Sequence, residues 1–76
     1  MRMTAYKRLS GESGVLAYQL TANAIKVRFV DGKVYTYTYA SAGAEHVERM
    51  KQLATEGRGL SGYISKYVRD NYASVS

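Results

Sequence analysis

Ala24-Ile25-Lys26-Val27-Arg28-Phe29-Val30-Asp31-Gly32-Lys33-Val34-Tyr35-Thr36-Tyr37-Thr38-Tyr39 is the stretch on which the fold turns. Ile25, Val27 and Phe29 alternate with Lys26 and Arg28, the period of two of a half-buried antiparallel strand. Asp31-Gly32 is a strong hairpin signal, and Lys33 to Tyr39 is almost wholly β-branched or aromatic. Loop length sets the register. A two-residue loop puts Arg28 beside Tyr35 and Lys26 beside Tyr37, an open platform of rings and cations of the kind on which single-stranded bases stack. A three-residue loop, Val30-Asp31-Gly32 with Gly32 left-handed in a bulge, instead sets Val27 against Tyr35 and Ile25 against Tyr37. The tyrosines then join Ile25, Val27 and Phe29 inside, leaving Lys26, Arg28, Thr36 and Thr38 in water. Each large side chain gains about 1.5–3 kcal/mol on full burial, and a chain this small needs all of them. Burial favours the bulged register, while the sequence leaves both open.

Upstream, Val15 to Leu20 reads as a strand with Leu16, Tyr18 and Leu20 on one face, and Thr21-Ala22-Asn23 as its turn. Ser10-Gly11-Glu12-Ser13-Gly14 is turn and linker chemistry. Downstream, Ser41 is placed to cap a helix from about 42 to 56, with Ala44, Val47, Met50, Leu53 and Ala54 on its inner face and Gly57 as a left-handed stop. Leu60, Tyr63, Ile64, Tyr67 and Val68 give a second amphipathic helix to about residue 71. The expected fold is α+β: a three-stranded antiparallel β-meander followed by two helices packed on one sheet face. Residues 1–13 are expected to be a flexible segment, 14–72 a single domain, and 73–76 a frayed end.

Composition narrows the chemistry. With 76 residues the chain has room for one small core, and with no cysteine it can form neither a disulfide nor a thiolate metal site. Absence of cysteine fits a reducing compartment, and a cytoplasmic location is expected. No apolar run is long enough to span a membrane, and Met1 to Arg8 has no apolar stretch of the kind a secretory signal carries. Eleven Lys and Arg against six Asp and Glu give a formal net charge of +5, which favours polyanionic partners.

Catalysis requires groups that converge, and none are apparent. His46 is the one histidine and reads as a surface or helix-edge residue; Glu45 points elsewhere, so the pair makes no metal site. Ser41, Ser61 and Ser65 have no matching base. Gly57-Arg58-Gly59-Leu60-Ser61-Gly62 spells G-x-G-x-x-G, but a helix precedes it where a dinucleotide site needs a strand. Gly59 to Gly62 also has the outline of a KH-type GxxG loop, with Arg58 on phosphate, although no strand follows the second helix. Cap and turn glycines explain the run more simply. Tyr63 and Tyr67 share spacing with Leu60, Ile64 and Val68 and are expected in the core. No catalytic residue, metal or cofactor is expected.

The pattern Tyr18, Ile25-x-Val27-x-Phe29-x-x-Gly32-x-x-Tyr35-x-Tyr37, Ala54-x-x-Gly57 and Ile64-x-x-Tyr67 resembles the KTSC domain, whose central mark is a Tyr-x-Tyr pair. That short domain occurs at the C-terminus of some lysyl-tRNA synthetases and as a stand-alone bacterial protein. The resemblance covers roughly 15–72; it implies the same α+β fold and, by association with a synthetase, RNA binding. The expected function is a small non-catalytic binding domain, contacting RNA or single-stranded nucleic acid through Lys26, Arg28, Lys33 and Arg58 on a basic sheet face. The alternative is a protein-interaction or inhibitor module docking by a sheet edge, with the first strand or the Tyr39 strand as that edge. A homodimer formed by edge pairing is compatible with both.

Overall fold

Phe29 N–H donates to the Lys33 carbonyl at 3.0 Å, and Gly32 N–H donates back to the Phe29 carbonyl at 2.9 Å, closing a three-residue loop. Gly32 has φ 88°, a left-handed value that costs glycine nothing, and the Asp31 carboxylate accepts the Lys33 N–H at 2.9 Å. The hairpin therefore takes the bulged register: Val27 pairs with Tyr35, Ile25 with Tyr37 and Lys26 with Thr36. Tyr37 is 1% exposed and Ile25 and Val27 are fully enclosed. These features belong to a computed structural model that describes residues 3–8 and 14–76.

Five antiparallel strands lie in sequence order: β1 (Thr4–Ala5), β2 (Val15–Leu20), β3 (Ala24–Phe29), β4 (Val34–Thr38) and β5 (Ser74–Val75). The three central strands are the meander expected from the sequence. The outer two are additions, made by segments expected to be flexible or frayed. A bare meander leaves the ladder groups of its outer strands unpaired, and the chain ends supply partners. Tyr6 N–H donates to the Leu16 carbonyl at 2.9 Å, and Ser76 and Val34 exchange both of their backbone hydrogen bonds. Tyr6 is 5% exposed, and its hydroxyl accepts the Leu60 N–H at 3.1 Å, joining the first strand to the start of the last helix. The Ser10–Ser13 turn lies outside the described residues. Consequently β2 and β4, expected as free edges for a partner, are interior strands.

β2 also corrects the face assignment. Its register slips between Val15 and Ala17, so Val15 opposes Phe29 while Tyr18 opposes Val27. A bulge at this point puts Val15 and Tyr18 together in the core and leaves Leu16 37% exposed, breaking the even alternation expected for Leu16, Tyr18 and Leu20.

The first helix begins earlier than expected. Thr38 is the N-cap of a single turn, α1 (Tyr39–Ala42): its hydroxyl accepts the Ser41 N–H, and the Ser41 hydroxyl oxygen accepts the Thr38 N–H, both at 3.0 Å. This reciprocal pair is a capping box, with Ser41 inside the helix rather than capping it. Gly43, at φ 97° and ψ 139°, then breaks the axis before α2 (Ala44–Glu56). Gly57 closes α2 in the left-handed conformation, as expected, donating to the Leu53 and Ala54 carbonyls. The last helix is α3 (Leu60–Tyr63), continuing directly into a π-helical turn (Ile64–Val68) that ends with Arg69 N–H on the Ile64 carbonyl at 2.7 Å. Val47, Met50, Leu53 and Ala54 from α2 and Leu60, Ile64 and Val68 from the last helix cover one sheet face. The wider π turn brings Val68 back over Ile64 and swings Tyr67 off that face. Tyr67 is 49% exposed, so its expected place in the core fails, while Tyr63 is half-buried and packs against the core.

Candidate functional site

The sheet face that no described helix covers carries Lys26 and Arg28, two residues apart on β3, across from Thr36 and Val34 of β4. Gln19 and Ala17 of β2 extend the same cross-strand rows, and Ser74 of β5 stands beside Thr36. Arg28 is exposed and Lys26 half-buried, consistent with a lysine whose methylene stem lies along the sheet. None of the described carboxylates lies on these rows. Asp31 is in the hairpin turn, Glu45, Glu48 and Glu56 are on α2, and Asp70 follows the last helix.

Two other expected contact residues are elsewhere. Lys33 opposes Phe29 and so takes the alternate side of the strand from Lys26 and Arg28, out at the hairpin tip. Arg58 is exposed in the turn between Gly57 and Gly59, both left-handed, within the helical layer. The structure brings Lys26 and Arg28 together and separates them from Lys33 and Arg58. Among the α2 cations, Lys51 is held within the molecule: its Nζ lies 2.9 Å from the Glu48 carboxylate and donates to the Ala22 carbonyl at 3.1 Å. The Tyr39 hydroxyl donates to that carboxylate as well, and this hydrogen bond, reinforced by Lys51, lowers the Glu48 pKa from its ordinary value.

On the helical side, an open groove of about 380 Å³ lies at the hairpin tip. Its walls include Phe29 and Tyr35 from the hairpin, Ile64 and Ser65 from the π turn, and Arg69, Asp70 and Tyr72 from the segment after it. The rings form an edge-to-face chain: Phe29 to Tyr35 at 5.2 Å and 90°, Tyr35 to Tyr72 at 5.0 Å and 71°, and Tyr37 to Tyr72 at 6.2 Å and 83°. Such pairs hold one another in fixed orientations. The Tyr37 hydroxyl donates to the Arg69 carbonyl at 3.0 Å, pinning a residue with φ 25° and ψ −97°, outside the usual regions for a residue with a Cβ. Burial first, then the neighbouring Tyr35, Tyr72 and Asp70, push the Tyr37 pKa up to about 12. The sequence reading missed this groove; the usable signal was Tyr72, the one aromatic in the tail after the last helix.

A second cluster joins α2 to the last helix. His46 Nδ1 is 2.7 Å from the Tyr63 hydroxyl, and the Tyr67 ring stacks 5.9 Å from His46 with Lys66 Nζ 5.3 Å from its centroid. Burial and the adjacent Tyr67 raise the Tyr63 pKa. No protein-family model matches the chain, and no curated protein or solved structure matches it either. No helix among the described residues is long and apolar enough to cross a membrane.

Proposed function

We propose that the chain is a small non-catalytic binding domain whose sheet face away from the described helices contacts the backbone of RNA or single-stranded nucleic acid through Lys26 and Arg28. The observation that carries this reading is the separation of charge: that face presents cations and hydroxyls, while the described carboxylates sit in turns and on the helical layer. A net charge of +5 supplies long-range attraction for a polyanion. Threonine hydroxyls and long cations suit phosphate and sugar contacts, which position a strand without reading its sequence. The tyrosine pair that carries the likeness to the KTSC domain lies on the opposite face, so that likeness supports the fold of this reading and not its contact residues.

The test is a salt titration of binding to a short single-stranded RNA, for the native chain and for Lys26→Glu combined with Arg28→Glu. Native binding should weaken steeply as salt rises. For single strands each neutralised phosphate contributes about 0.7 to the log–log slope, so losing two contacts should reduce it by about 1.4 and leave little affinity. Unchanged affinity and slope in a variant that melts normally would show that the contact lies elsewhere.

A further inference from the structure

We propose that the sheet face bearing Lys26 selects RNA over single-stranded DNA, with the Gln19 side-chain carbonyl accepting a hydrogen bond from a ribose 2′-hydroxyl. This rests on the reading above and adds to it the sugar of the ligand. Gln19 stands directly opposite Lys26, Lys26 opposite Thr36, and Thr36 opposite Ser74. Directly opposed residues share a face, so four polar side chains form one row across β2, β3, β4 and β5. Gln19 Oε1 stands apart in that row: it is enclosed and has no hydrogen-bond partner. Among the described residues it is the one side-chain atom in that condition.

Enclosed polar atoms in folded chains are nearly always paired, so an orphaned acceptor marks a place that a donor completes. Gln19 as a whole is half-buried, and the terminal torsion of a glutamine is broad. No hydrogen bond holds the oxygen inward, so the amide turns toward a ligand without breaking one there. What a nucleic-acid backbone offers then fixes the donor. Phosphate and sugar-ring oxygens only accept; the ribose 2′-hydroxyl donates, and deoxyribose lacks it. Opposed side chains on neighbouring strands have Cβ atoms about 5 Å apart, so a phosphate on Lys26 brings its attached ribose within reach of Gln19. The hydroxyls of Thr36 and Ser74 both donate and accept, and so favour neither sugar.

The experiment measures binding of the full chain to oligouridines of one length in three sugar forms, ribose, deoxyribose and 2′-fluoro, at one low salt concentration. The ribose strand should bind about tenfold tighter than the deoxyribose strand, the gain from giving a donor to an unpaired acceptor. The 2′-fluoro strand keeps the ribose pucker but has no donor, so it should bind as the deoxyribose strand does. Gln19→Leu should lower ribose binding to the deoxyribose level. It should also melt no lower than the native chain, since it discards an unpaired polar atom. A 2′-fluoro strand that binds as RNA does, or a ribose preference that survives Gln19→Leu, would overturn the proposal. If all three strands bind alike and Lys26→Glu with Arg28→Glu abolishes binding, the sheet-face reading stands and this one falls; if no strand binds, both fall.

Discussion

Tyr37 shows how one side chain can serve both packing and a site. Its ring fills the centre of the core, and its hydroxyl, at the rim, holds the Arg69 carbonyl. Replacing it with phenylalanine keeps the packing and removes the hydrogen bond, so Tyr37→Phe should cost about 1 kcal/mol in urea unfolding at neutral pH. The cost should depend on pH in a defined window. With a folded-state pKa near 12 against an ordinary 10.0, Tyr37 keeps its proton in the folded chain after it has lost it in the unfolded one. Between those values the unfolded state binds fewer protons, so the stability supplied by the neutral phenol is complete below pH 10 and declines as pH rises toward 12. The gap between the native chain and Tyr37→Phe should therefore narrow across that window. A constant gap would mean that the phenol ionises alike in both states.

At the level of elements, the hairpin was legible because burial and turn chemistry agree on it: Ile25, Val27, Phe29, Tyr35 and Tyr37 gather on one side in the bulged register, whereas Tyr39, expected with them, leaves the strand into α1 and is 36% exposed. The break before α2 was not. Ala42 to Glu56 has the periodicity of one uninterrupted helix, and the capping box between Thr38 and Ser41 is visible only once the chain is seen to leave β4 directly into a turn. The two views of Gly43 predict opposite signs. Inside a continuous helix, Gly43→Ala would stabilise by about 1 kcal/mol. At φ 97° and ψ 139° the added Cβ meets no neighbouring atom, so the whole effect is backbone strain, of order 1–3 kcal/mol, and it destabilises. Thermal melting of Gly43→Ala tells the two apart by direction alone. The π turn was likewise hidden, since Leu60, Tyr63, Ile64, Tyr67 and Val68 fit an ordinary helix, and only the widened turn explains why Tyr67 faces solvent.

At the scale of the molecule, the outer strands and the groove were illegible for a further reason: they are assembled from segments far apart in the chain. β1 and β5 are two residues each, too short to show any periodicity, and the groove takes its walls from the hairpin, the π turn and the tail after it. Both short strands also solve a problem that a three-stranded meander poses. β4, with Val34, Tyr35, Thr36, Tyr37 and Thr38, has high strand propensity and would otherwise template association with a second chain. Ala73 and Ser76 occupy its backbone groups, with Ala73 N–H on the Thr36 carbonyl at 2.6 Å and Ser76 N–H on the Val34 carbonyl at 2.8 Å. Ending the chain after Tyr72 removes these bonds while leaving the groove's aromatic wall in place. Such a truncation should lower stability by about 1–3 kcal/mol and produce concentration-dependent dimers in sedimentation velocity, because the exposed ladder groups of β4 pair with each other. Adding Lys in place of Thr36, whose side chain is on the face away from the described helices, should suppress those dimers by like-charge repulsion across the paired strands. A truncated chain that stays monomeric at every concentration would show that β5 contributes stability without guarding the edge.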